Sequence, residues 1–143
     1  QRTFLHPSLI AFDAPTREEC TAERTISNSP QQALVLLNDP IYVEASRVFA
    51  ERIITEGGDD IASRIHWAFQ EAFSREPLER ELAIVSDLYI QHFKKYRNDA
   101  KGAKALIGVG EKPVHEGLRP VELAAWTSVA RTLFNLHEMI YRY

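Results

Sequence analysis

Asn38-Asp39-Pro40 constrains the fold of this chain more than any other short stretch. Asparagine tolerates the backbone that ends a helix, aspartate accepts hydrogen bonds from the free amides that start one, and proline opens a helix where its missing amide costs nothing. One helix therefore stops and another starts within three residues. Ser29-Pro30-Gln31-Gln32 carries the same signal upstream: serine caps, proline takes the first helical position and glutamine reaches back to the cap. A short helix over about 30–37 follows, then a second over about 40–56 that Gly57-Gly58 stops.

In the second helix Tyr42, Ala45, Phe49 and Ile53 recur at a spacing of three to four, with Ile41 and Val48 widening a stripe that reads as the core face. Asp59 or Asp60 caps a third helix lined on one side by Ile61, Ile65, Ala68, Phe69 and Ala72, ending near residues 74–77. The longest runs over about 78–97, with Leu78, Leu82, Val85, Tyr89, Phe93 and Tyr96 inward and Glu79, Arg80, Glu81, Asp87, Lys94 and Lys95 mostly toward water. A shorter turn around 101–106 follows Asp99. Pro120 opens the last helix, expected to reach about 140 at the centre of the bundle, with Val121, Ala125, Val129, Leu133, Leu136 and Ile140 thickened by Trp126 and Phe134. No strand-like alternation and no internal repeat interrupts this pattern.

The expected fold is all-α: an irregular bundle of five or six helices over residues 29–143, with an extended N-terminal arm over residues 1–28. The arm is broken by Pro7, Pro15 and the 27–30 cluster, and its Leu9, Ile10 and Phe12 keep no period. A chain of 143 residues buries roughly 68% of its unfolded surface, so one self-sufficient core needs no metal or cross-link. The opening Gln1-Arg2-Thr3-Phe4 reads as a cut from a longer multidomain protein.

Seventeen Lys and Arg against twenty Asp and Glu, with no basic run longer than Lys94-Lys95, provide no footprint for nucleic acid or an anionic membrane. The longest apolar runs, such as Ala33-Leu34-Val35-Leu36-Leu37, fall far short of the roughly 20 residues that span a bilayer. One cysteine excludes a covalent haem-attachment motif and a cysteine-rich zinc site. His6, His66, His92, His115 and His137 are never spaced to put two ligands on one helix face, and boundary positions are their ordinary reading. Gly108-Val109-Gly110 lacks the third glycine and preceding strand of a dinucleotide fingerprint; it belongs to the one long loop, residues 108–119, of a length at which loops are functional or mobile. Carboxylate pairs such as Glu18-Glu19 and Glu79 with Glu81 read as solvated faces.

Three functional readings remain. The first is a non-catalytic structural or interaction module, since no catalytic motif is assembled. The second is an anion or acidic-sugar site formed by Arg17, Arg24, Asn28 and Ser29 with the helix start at residue 30, because helix N-termini and guanidinium groups together bind anions. The structural alternative for the same arginines is internal pairing with Asp13, Glu18, Glu19 or Asp39, pinning the arm. The third, an enzyme, requires Cys20, His115 and Asp13 to converge in one pocket, whereas a lone cysteine ordinarily packs as a small hydrophobe.

The string from Pro7-Ser8-Leu9-Ile10-Ala11-Phe12-Asp13-Ala14-Pro15 through Arg17, Cys20-Thr21 and Asn28-Ser29-Pro30 to Gln32-Ala33-Leu34-Val35-Leu36-Leu37-Asn38-Asp39-Pro40 resembles the C-terminal domain of planctomycete-type cytochrome proteins, the domain of unknown function 1553 family. The likeness continues through Val43-Glu44-Ala45, Ala50-Glu51-Arg52 and Glu122-Leu123-Ala124-Ala125-Trp126. It implies a place at the C-terminal end of a large exported bacterial protein, hence extracytoplasmic, whose upstream domains are the partners and hold any haem. It implies no cofactor in this fragment, and no catalytic residues to carry over.

Overall fold

The structure is a computed structural model that describes residues 30–140. Seven helices occur among them: α1 Pro30–Asn38, α2 Pro40–Glu56, α3 Ile61–Phe73, α4 Glu79–Asn98, α5 Ala100–Ile107, α6 Pro120–Phe134 and α7 His137–Ile140. No strand lies among the described residues, so the all-α bundle stands. The capping signals act as their chemistry dictates. Asp39 accepts from the Ile41 amide at 3.0 Å, Asp60 from the Ser63 amide at 2.9 Å and Asp99 from the Gly102 amide at 2.8 Å, satisfying donors that a helix start leaves free.

The core is organised around α6, whose every residue from Glu122 to Ala130 is buried. Against it lie α2, α4 and α5, with α1 and α7 at its C-terminal end. Trp126 is fully buried, and Tyr89 of α4 stacks on it at 4.5 Å. Tyr96, two turns further along α4, meets Ser128 through a 3.1 Å hydroxyl contact. Ile65, Ala68 and Phe69 bring α3 into the same core, as the spacing of its apolar residues requires.

Two expectations change. The last helix does not run unbroken to residue 140: α6 ends at Phe134, Asn135 caps it, and one turn resumes as α7, with Leu136 and Met139 exposed. The second change concerns α2. The expected core stripe included Ile41, Ala45 and Val48, yet Ile41 is 65% exposed, Ala45 is exposed and Val48 only half-buried. Ile53 of that stripe is fully buried and Phe49 packs against the core, but the rest of the inward face is Val43, Ser46, Arg47, Ala50 and Glu51. Two charged residues occupy core positions, so an apolar stripe drawn through α2 departs from the buried face at Ile41, Ala45 and Val48.

Candidate functional site

The buried charges of α2 hold the long loop. Arg47, with its side chain 1% exposed, donates through Nη1 to Glu51 at 2.7 Å and through Nη2 to the Lys112 carbonyl at 2.6 Å, with a longer 3.4 Å contact to the Pro113 carbonyl. Glu51 also accepts from the His115 amide at 3.2 Å. One turn earlier, Glu44 accepts from the amides of Glu111 at 3.1 Å and Lys112 at 2.7 Å. Those two amides hold the Glu44 carboxyl below the usual carboxylate range. Gly110 makes the close approach feasible: its φ is +102°, and a Cβ there would collide with the Glu44 carboxylate.

Loop residues 108–119 are therefore held by their backbone, through three α2 side chains spaced at i, i+3 and i+7. The loop's own side chains carry none of these contacts, and Glu111, Lys112, His115 and Glu116 are exposed. A loop of this length was expected to be functional or mobile; here its middle is anchored.

Two further networks tie helices together. Arg64 of α3 donates to Glu122 of α6 at 2.7 Å, to the Gly58 carbonyl at 2.9 Å and toward the Ile54 carbonyl, while Arg119 closes on the same Glu122 at 2.7 Å. Burial pushes the Glu122 carboxyl up, but the two guanidinium groups outweigh it and the group sits below its ordinary value. Arg75, at the α3–α4 turn, donates two bonds to Glu81 and two to Glu138 of α7, each 2.8 Å, with its guanidinium over Phe69 and Phe73. The paired Arg75 holds the Glu81 carboxyl at about 2, and Glu81 also accepts from the Leu78 amide as a cap for α4. Glu81 is thus no solvated bystander, as its charged neighbourhood suggested, but a partner of Arg75, the hub that also holds Glu138 of α7 and lies over Phe69 and Phe73 of α3.

Arg17, Arg24, Asn28 and Ser29, the residues expected to bind an anion, lie outside the described residues, as do Cys20 and Asp13. Residues 1–28, read as the arm, lie outside them too. Of the enzyme trio only His115 is described: exposed, with its ring Nδ1 2.8 Å from the Glu116 carbonyl. Among the described residues no group of three His, Cys, Asp or Glu side chains has the geometry to hold a metal ion. No described helix is long and apolar enough to cross a membrane.

A family model described as protein of unknown function (DUF1553) matches residues 1–89, well over half of the chain. The chain belongs to that family. The DUF1553 match spans α1, α2 and α3 and reaches Tyr89 of α4, so it includes Glu44, Arg47 and Glu51 but not the loop they hold. No curated protein and no solved structure matches the chain.

Sequence reasoning passed over Arg47, Glu51, Arg64 and Glu122. A signal was present for the first two: Arg47 lies four residues after Val43 and three before Ala50, inside a core-phase series, with Glu51 one turn on to neutralise it. A charge in the middle of an inward face, followed at i+4 by its opposite, marks a buried pair with a remote polar client.

Proposed function

We propose that this DUF1553 domain is a non-catalytic structural and interaction module at the C-terminal end of a large exported bacterial protein, docking against upstream domains of its own chain. The observation that carries the reading is the outer face of the first two helices. Leu34 of α1 is 59% exposed and Ile41 of α2 is 65% exposed, and Ala45 and Val48 continue from Ile41 at helical spacing. These α2 side chains lie opposite the face that is committed to the core and the loop, and large exposed apolar side chains are what a contact with another surface would cover. The division of labour supports the same reading. The buried carboxylates and guanidinium groups are used in pairing and loop anchoring, Arg47 with Glu51 and Arg64 with Glu122, rather than directed at a substrate.

The resemblance to planctomycete-type cytochrome proteins is what supports reading the partner as the adjoining upstream part of the parent chain and the setting as extracytoplasmic. Calorimetric titration of the domain with that separately expressed part tests the reading. Binding at micromolar strength or tighter, roughly -8 kcal/mol, weakened at least about tenfold by Ile41→Asp, is the expected result. No detectable heat, or an unchanged affinity in Ile41→Asp and Leu34→Asp, overturns it.

A further inference from the structure

Five cations crowd the junction of α4 and α5 with no acid paired to them. Arg47, Arg52, Arg64, Arg75 and Arg119 each hold a glutamate in an ion pair. Lys94, Lys95, Arg97, Lys101 and Lys104 hold none among the described residues, and all five are exposed. The one acid of this stretch, Asp99, turns its carboxylate onto the Gly102 amide as the cap of α5. No loop separates the two helices: the Asp99 amide donates to the Lys95 carbonyl and the Ala103 amide to the Asp99 carbonyl, each at 3.0 Å. Tyr96 and Ala103 sit in the same core cluster, so the cations flanking them occupy the outer side of both helix ends. At about 1.5 Å of rise per helical residue, the stretch 94–104 spans about 15 Å. It carries +4, five cations less Asp99, in a chain of net charge -3, so the remainder of the chain carries -7.

We propose that this outer face of the α4–α5 junction binds a linear acidic polysaccharide, whose repeated carboxylate or sulfate groups pair with Lys94, Lys95, Arg97, Lys101 and Lys104. The arrangement selects a polymer over a small anion. Exposed cations spread over a helix surface offer no single anion a pocket, whereas a charged chain laid along them pairs with each in turn and releases its condensed counterions. It also selects among polymers. Single-stranded nucleic acid is held by aromatic side chains on which bases stack, and the only aromatic residue of the stretch, Tyr96, is buried. A helix that lies on a bilayer sets large apolar side chains beside its cations, and none of those exposed among the described residues falls within 94–104. A duplex or a bilayer also presents a broad field of negative charge to the acid-rich remainder of the chain, which a thin strand avoids. Lysine, four of the five cations, is a compact point charge that pairs with carboxylate or sulfate without fixed geometry. The face shares no residue with the apolar face of α1 and α2.

The test titrates fluorescein-labelled polygalacturonate with the 143-residue chain, read by fluorescence anisotropy, with neutral dextran as the blank. The expected result is saturable binding of polygalacturonate and none of dextran. Its log affinity falls against log salt with a slope of about -3.5, at about 0.7 per contact as for a single-stranded polyanion. Lys101→Gln with Lys104→Gln removes two of the five contacts and is expected to weaken binding about tenfold at roughly 0.15 M salt. Lys94→Gln with Arg97→Gln gives an independent loss of the same size. Arg80→Gln with Lys112→Gln removes the same net charge from exposed positions outside the face and is expected to change the affinity by less than about twofold, since distant surface charges are screened. Circular dichroism confirms that each variant is folded before it is titrated. Absence of saturable binding at about 0.05 M salt, equal losses inside and outside the face, or tighter binding of a DNA duplex or of phosphatidylserine vesicles at the same salt overturns the assignment.

Discussion

Removing the Arg47 guanidinium tests whether the buried pair of α2 governs both stability and the long loop. In Arg47→Met the aliphatic stem is kept, so the cavity is small and the loss is electrostatic. Glu51, its side chain 8% exposed, is left with only the His115 amide as a donor, and the Lys112 and Pro113 carbonyls lose theirs. Breaking a buried pair by deleting one partner costs about 3–5 kcal/mol, because the remaining charge is uncompensated. Against a typical stability of about 5–15 kcal/mol that is a large fraction. At about 3 °C per kcal/mol for a chain of this size, Tm falls by about 10–15 °C. Arg47→Met with Glu51→Leu removes both charges, and water can reach carbonyls that belong to the exposed Lys112 and Pro113. The double variant is expected within about 2 kcal/mol of the parent, less destabilised than the sum of the singles. Urea unfolding with an unchanged slope measures each value, and amide exchange at Glu111, Lys112 and His115 reports the loop. A loss under about 1 kcal/mol in Arg47→Met, or a double variant as unstable as both singles added, would refute the reasoning.

Acid titration should expose the Arg75 hub. Glu81 has a folded value near 2 against an ordinary value of 4.5, so its stabilisation is complete above about 4.5 and is lost as pH falls toward 2; Glu81→Gln is expected to flatten that limb of the stability curve, read by circular dichroism. Trp126→Ala empties the centre of the core and is expected to cost about 3–5 kcal/mol in the same urea assay, far more than Trp126→Phe. The arm reading predicts that sulfate or phosphate raises Tm, by about 2.7 kcal/mol of added stability at a hundredfold excess over Kd, and that Arg24→Ala loses the gain in scanning calorimetry.

Much of the fold was legible locally. Asp39, Asp60 and Asp99 placed three helix starts, because a cap is settled by a side chain and an amide within three residues of each other. The inward stripes of α3 and α4 followed from spacing, since Ile65, Phe69, Val85, Tyr89 and Tyr96 are apolar where the helix period requires; Leu78, expected inward, is instead the exposed N-cap residue of α4. The α2 face was not legible in the same way. Hydropathy ranks Ile41 and Val48 above Arg47 and Glu51, and only the partners overturn that ranking.

What the sequence by itself determined is therefore the list of helices and their ends, which depend on contacts within a turn. What only the tertiary structure decided is where the charges went. Arg47 meets the Lys112 carbonyl 65 residues away, Arg64 meets Glu122 across 58, and Arg75 meets Glu138 across 63. A charge enters a core only when such remote partners satisfy it, and no periodicity along one helix records who they are.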